Sequence, residues 1–125
     1  MTIQKEAVEQ RQHKRFRVPD DAFVMLKPPD TGTGRLIDIS MGGLTFEHVS
    51  SRASPIEATE LDIFLTGSPF SLYDVPCRSI WELSIYEKSD TPLYRKRYGV
   101  RFSELTPAQR RLLEHFIENH TMGEV

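Results

Sequence analysis

Between Ala22 and Phe102 the chain never runs more than a handful of residues without a glycine, proline, aspartate or serine, and the apolar residues between these breaks tend to alternate with polar ones. Segments this short and this regularly alternated satisfy their backbone groups by pairing side to side as strands. Ala22 to Lys27 is expected as the first strand, closed by Pro28, Pro29 and the turn Gly32-Thr33-Gly34. Arg35 to Ile39 follows as a second, and Gly42-Gly43 separates it from Leu44-Thr45-Phe46-Glu47, the pattern of a hairpin. After a loop from Ser50 to Pro55, Glu60 to Leu65 alternates as a fourth strand. Phe70 to Tyr73, Val75 to Leu83 and Arg97 to Phe102 supply further short strands. Pro76, which lacks an N–H, places its own strand at an edge or a bulge.

Beyond Phe102 the period changes. Thr106-Pro107-Ala108-Gln109 carries the N-cap, the first-turn proline and the N3 glutamine of a capping box. Leu112, Leu113, Phe116 and Ile117 then mark one face of a helix over about residues 106 to 120. Short strands followed by one amphipathic helix predict an all-β fold with a C-terminal helix, a small antiparallel barrel capped by that helix. Three segments result: a flexible, basic N-terminal arm over 1–19, the barrel with its helix over 20–120, and a tail over 121–125.

A chain of 125 residues that is 38% hydrophobic can bury a core without disulfides or a structural metal. Its net charge of −2 argues against a surface that coats nucleic acid or anionic lipid, so any anion site must be local. Cys77 is the only cysteine; it rules out an intrachain disulfide and reads as a small buried hydrophobe on a strand. Met1 to Gln10 has no apolar run of the export type, and no stretch nears the length of a membrane-spanning helix. The expected location is a reducing cytoplasm, with no membrane insertion.

Two segments can carry recognition chemistry. Arg11 and Arg15 form an Arg-x-x-x-Arg pair on the arm, with Lys14 between them and Arg17 two residues on. A guanidinium donates in bidentate fashion to phosphate oxygens or to guanine O6 and N7, and it also stacks on a base, which lysine cannot match. Taken alone, the pair reads equally as a solvated basic stretch. The second segment is Asp38-Ile39-Ser40-Met41-Gly42-Gly43. Its carboxylate can accept from the N1–H and N2–H2 of guanine, its hydroxyl can bond phosphate or base, and its glycines admit a ligand to the backbone. Taken alone, it is an ordinary turn.

Together, Arg11-x-x-x-Arg15 and Asp38-x-Ser40-x-x-Gly43 resemble the paired signature of PilZ domains, a family of bacterial cyclic di-GMP receptors. Arg97-Tyr98-Gly99-Val100-Arg101-Phe102 is similar to the family's late Gly-Val-x-Phe strand, and Thr-Pro-x-Gln-Arg-Arg at 106–111 to the start of its closing helix. The resemblance implies a six-stranded antiparallel barrel and an arm that folds over the ligand. It also implies contacts to cyclic di-GMP from Arg11, Arg15, Asp38 and Ser40, with Gly43 keeping the turn open. Lys14, Arg17 and Gly42 adjoin the motif as supporting positions. Trp81 either flanks a base or packs at the barrel's core or rim. Beyond that ligand no cofactor is expected. A dianion that fixes a basic arm against the barrel would create a surface for a downstream partner protein, whose identity the sequence does not carry.

Other classes fit less well. An RNA- or single-strand-binding barrel would spread basic and aromatic residues over one face, whereas here the basic residues concentrate at one end of a slightly acidic chain. For an enzyme, His13, His48, His115 and His120 are scattered, no nucleophile or P-loop pattern occurs, and the last two suit exposed positions near a helix end. A PilZ-like adaptor that ignores nucleotide would be expected to have lost the arginines or the Asp/Ser turn.

Overall fold

The computed structural model describes residues 13–27, 32–50, 58–85 and 94–125. Arg11 therefore lies outside the described residues, as do Pro28, Pro29 and the loop positions 51–55. The described chain forms β1 (Phe16–Arg17), β2 (Ala22–Lys27), β3 (Gly32–Ile39), β4 (Gly43–Ser50), β5 (Glu60–Leu65), β6 (Ser71–Ile85), β7 (Tyr94–Phe102) and α1 (Pro107–His120). Around the sheet the order is β3-β2-β5-β6-β7-β4, every pairing antiparallel, and β4 returns to β3. A six-stranded barrel results, and among the described residues closure leaves no long edge to template aggregation. β1 lies outside the ring, added to β3.

Alternation along the strands fills the interior. Val24 and Leu26, Leu36 and Ile39, Leu44 and Phe46, Leu61 and Ile63, and Leu72 and Val75 are buried, and the Phe46 ring stacks on Tyr98 at 5.3 Å between centroids. The helix adds Leu113 and Phe116, fully buried, with Phe116 against Phe70 at 5.1 Å. Its capping box forms as expected: Gln109 N–H donates to Thr106 Oγ1 at 3.1 Å, and Thr106 N–H donates to Gln109 Oε1 at 3.0 Å. Two expectations about this helix are corrected. Leu112 is exposed, because the buried face centres on Leu113 and Phe116; and His120 is half-buried, packed on Phe70 and Phe116, whereas His115 is exposed.

A third correction concerns β6, which is one strand where two were expected over Phe70 to Tyr73 and Val75 to Leu83. Residues up to Pro76 pair with β5, and from Cys77 onward the strand pairs with β7. Pro76 thus stands where the strand changes neighbours, beside an irregularity in register between Leu61 and Ile63. Asp74 carries the kink in the left-handed region at φ 56°, which aspartate tolerates better than most residues. Its N–H donates to Asp62 Oδ1 at 2.9 Å, Lys27 Nζ pairs with both Asp62 and Asp74, and Gln109 Nε2 donates to the Tyr73 and Asp74 carbonyls at 3.0 Å each. The start of α1 is thereby tied to the kink.

The arm's last residues are built into the sheet. Phe16 pairs with Ile39 and Arg17 with Asp38, Val18 is buried, and the C-terminal segment lies on the other side of β1. No helix among the described residues is long and apolar enough to cross a membrane.

Candidate functional site

Four strands of the barrel carry a row of directly paired residues. Asp38 of β3 pairs with Thr45 of β4, Thr45 with Gly99 of β7, and Gly99 with Trp81 of β6. Their chain neighbours Ile39, Leu44 and Val100 are buried in the core, so by strand alternation this row faces outward. Above it lies a cleft of about 590 Å³, within the usual range for ligand sites. Its floor is the outer face of β3, β4, β7 and β6, and its walls are the Ser40–Gly43 turn, the end of the arm at His13 and Arg15, and Leu105 and Arg110 at the start of α1.

The expected site residues fall as follows. Arg15, Asp38, Ser40, Gly42, Gly43 and Trp81 all line the cleft. Lys14 and Arg17 are exposed and do not line it; Arg17 is instead the strand partner of Asp38.

Ser40 is buried and its hydroxyl is engaged by its own turn. It accepts from the N–H groups of Gly42 at 3.1 Å and Gly43 at 3.2 Å, while Ser40 N–H donates to the Gly43 carbonyl at 2.8 Å. The serine therefore shapes the rim of the cleft by holding the turn that follows Asp38. Gly43 has a packing reason to lack a side chain, since a Cβ there would fall on the Val100 carbonyl of β7. At Gly42 a Cβ would come within 2.8 Å of the His13 ring, so this glycine is what lets the arm approach the turn.

Sequence reasoning missed three contributors. Arg101 is one register step from the row, opposite Gly43, and Arg110 projects from the first turns of α1. With Arg15 they give the cleft, among the described residues, three guanidinium groups against the single Asp38 carboxylate, a local excess of positive charge in a chain of net −2. The third is Gly99, whose lack of a Cβ lets the Trp81 indole lie across the neighbouring strand. A signal existed for each: Arg101 and Gly99 sit in the late strand motif and Arg110 in the helix start, but only the pairing register and the placement of α1 bring them to the cleft.

The floor is braced from the next row. Arg35 of β3, Glu47 of β4 and Arg97 of β7 are directly paired, and Arg95 lies diagonal to them. The buried Glu47 carboxylate receives Arg95 Nε at 2.8 Å and Nη2 at 3.2 Å, with Arg97 Nε at 3.5 Å and Arg35 Nη2 at 3.6 Å. Burial pushes this carboxyl up, but the Arg95 and Arg97 guanidinium groups outweigh it and hold Glu47 below the ordinary carboxylate range. One acid so placed fastens three of the four floor strands.

Chemically, the cleft offers fork donors for phosphate or a purine edge, one carboxylate acceptor for ring N–H groups, and an indole face for stacking. Those features suit a planar heteroaromatic ligand that carries anionic groups. Among the described residues no group of histidine, cysteine, aspartate and glutamate side chains is arranged to hold a metal ion.

Closed antiparallel barrel, capping helix and cationic cleft together define a small β-barrel domain class. The chain belongs to the PilZ domain family, whose family profile matches residues 9–119. No curated protein sequence gives a significant match. Among solved structures, it is similar to the PilZ domain of YcgR from Escherichia coli with c-di-GMP, at 20% identity and a TM-score of 0.64 over 89% of this chain and 91% of that one. It is also similar to YcgR from Escherichia coli in complex with c-di-GMP, at 19% identity and a TM-score of 0.62, covering 87% of this chain and 45% of that one. MrkH, described as a c-di-GMP-dependent transcription regulatory factor, matches at 13% identity and a TM-score of 0.63, over 87% of this chain and 50% of that one. The chain thus spans about half the length of these last two proteins.

Proposed function

We propose that the cleft binds cyclic di-GMP and that the protein is a receptor for this second messenger. The observation that carries the reading is the convergence of Arg15, Asp38 and Trp81 on one cleft of about 590 Å³, walled by the glycine turn that Ser40 holds. Guanine presents acceptors at O6 and N7 and donors at N1 and N2, so a guanidinium fork and a carboxylate can grip opposite edges of one base. The remaining cationic groups, Arg101 and Arg110, suit the two phosphates. Arg11, four residues before Arg15, would add a second fork from the arm. Family membership and likeness to the c-di-GMP-bound YcgR domain support this reading.

The rest of the proposal concerns output. The arm, ordered over the ligand, makes with it a composite surface for a downstream protein, and the domain works by recognition in the cytoplasm rather than by catalysis. Calorimetric titration of cyclic di-GMP into the purified protein tests the core of this, with cyclic di-AMP and Arg15→Ala as controls. Saturable binding that fails with the adenine analogue and is lost in the variant is the expected result. Absence of binding at millimolar ligand would overturn the receptor reading in favour of a PilZ-like protein adaptor.

A further inference from the structure

Arg15 belongs to the only described stretch of the arm, and what fixes that stretch is unusual in its composition. On one side β1 pairs with β3, placing Arg17 opposite Asp38. On the other side lies the chain that leaves α1: Met122 N–H donates to the Arg17 carbonyl at 2.8 Å, Arg17 N–H to the Gly123 carbonyl at 2.9 Å, and Val125 N–H to the carbonyl of Arg15 itself at 2.9 Å. Phe16 and Glu124 face one another as an antiparallel bridge. The two-residue strand is thus the middle of three, and Arg15 leaves it directly into the cleft.

Among the described residues the outer strap has little else to hold it. Met122 and Val125 are 72% and 63% exposed, and a Cβ at Gly123 would meet nothing within 4 Å. Backbone pairing with β1 is therefore the strap's main attachment, and segments held in this way belong to the easily opened part of a fold. Gly123 adopts φ 128°, a conformation that other residues enter only with strain, and this turn directs the strap back along β1. At its root, Thr121 Oγ1 donates to the Ile117 carbonyl at 2.6 Å, continuous with the helix whose other end contributes Arg110 to the cleft wall.

Resting on the cleft as the cyclic di-GMP site, we infer that the segment Met122–Val125 is a positioning element for the ligand: it clamps β1 against β3 and so holds Arg15 at the wall of the cleft that Asp38 also lines. Without the strap, β1 keeps only its two-residue pairing with β3, and Arg15 must be ordered by the ligand itself. Binding and strap closure are then reciprocally linked, since each stabilises the same arrangement of β1.

The experiment uses the full chain, a form ending at Thr121, and Gly123→Val, whose effect is confined to backbone conformation because the site around it is open. Calorimetry with cyclic di-GMP is expected to give about tenfold weaker binding for both altered forms, the order of one charge-assisted hydrogen bond lost from a fixed geometry. Thermal unfolding of the ligand-free proteins should stay within a few degrees of the parent. Two readouts separate positioning from general loosening. In an Arg15→Lys background, removing the strap should cause little additional loss, because the group it orients is gone. Hydrogen exchange at the Arg17 and Val125 amides should slow when ligand is added to the full chain. Equal affinity of the full and shortened chains, or full additivity of the shortening with Arg15→Lys, overturns the inference while leaving the receptor reading intact. Failure of the unaltered chain to bind cyclic di-GMP overturns both.

Discussion

The indole of Trp81 lies on Gly99, so closely that a Cβ at residue 99 would come within 2.0 Å of the indole nitrogen. Trp81 is 37% exposed, and it lines the cleft in register with Asp38. A tryptophan anchored on one side by a glycine of the next strand is a preformed stacking platform.

Trp81→Ala should therefore weaken cyclic di-GMP binding by about 1–3 kcal/mol, the worth of one base stacked on an aromatic ring. Unfolding midpoints of the free protein should barely move, because the ring is a rim group. Gly99→Ala should weaken binding as well by displacing the indole, and also lower stability by about 1–3 kcal/mol through overpacking. Since Trp81 is the only tryptophan, its fluorescence reports both events directly. Unchanged affinity in Trp81→Ala would place the base elsewhere.

Ser40 makes a contrasting prediction. A serine whose function is to touch ligand could be removed without consequence for the free protein. This one holds the Gly42 and Gly43 amides, so Ser40→Ala should destabilise the free domain by about 1–2 kcal/mol in denaturant titrations as well as weaken binding. A fully stable Ser40→Ala protein would return the hydroxyl to the ligand.

How far these roles were legible in the sequence depends on whether the cause was local. The Gly42-Gly43 turn, the β5 run and the Thr106–Gln109 capping box are set by residues adjacent in the chain, and all three formed as read. The merging of two expected strands into β6 was not readable, because the kink at Asp74 is held by Asp62 and by Gln109, which are distant in sequence. Leu112 fits a helical stripe on paper, yet which side of the stripe is buried depends on where Phe70 meets Phe116. The Asp38 turn was visible as a motif, whereas Arg101 and Arg110 were invisible as site residues because only register and the placement of α1 bring them to the cleft.

Cys77 supplies a test of the core. Burial pushes its thiol up to about 11, with the nearby Glu60 carboxylate adding to the shift. The thiolate is the reactive form, so at pH 8 the folded protein should resist alkylating and disulfide-exchange reagents, and denaturant should release one equivalent of reactive thiol. Rapid labelling of the native protein would mean that the β6–β7 pairing at Cys77 and Phe102 opens readily.

Glu47 ties pH to the shape of the cleft floor. Its folded-state carboxyl is held below the ordinary value of 4.5, so the ionised form is favoured by folding. The associated stability is present above the unfolded value and is lost as pH falls from about 4.5 through the lower folded value. Glu47→Gln should accordingly be less stable than the parent at pH 7, by about 3–5 kcal/mol if the surrounding guanidinium groups cannot rearrange and less if Arg35, Arg95 and Arg97 turn to solvent. The gap should close in acid, where the parent protonates too. Urea titrations of both proteins at pH 7 and pH 3 measure it. A constant gap across that range would mean that Glu47 acts by packing rather than by charge. A gap that closes, accompanied by weaker cyclic di-GMP binding in Glu47→Gln at pH 7, would show that the arginine-ringed carboxylate keeps β3, β4 and β7 in the register that sets Asp38 across from Trp81.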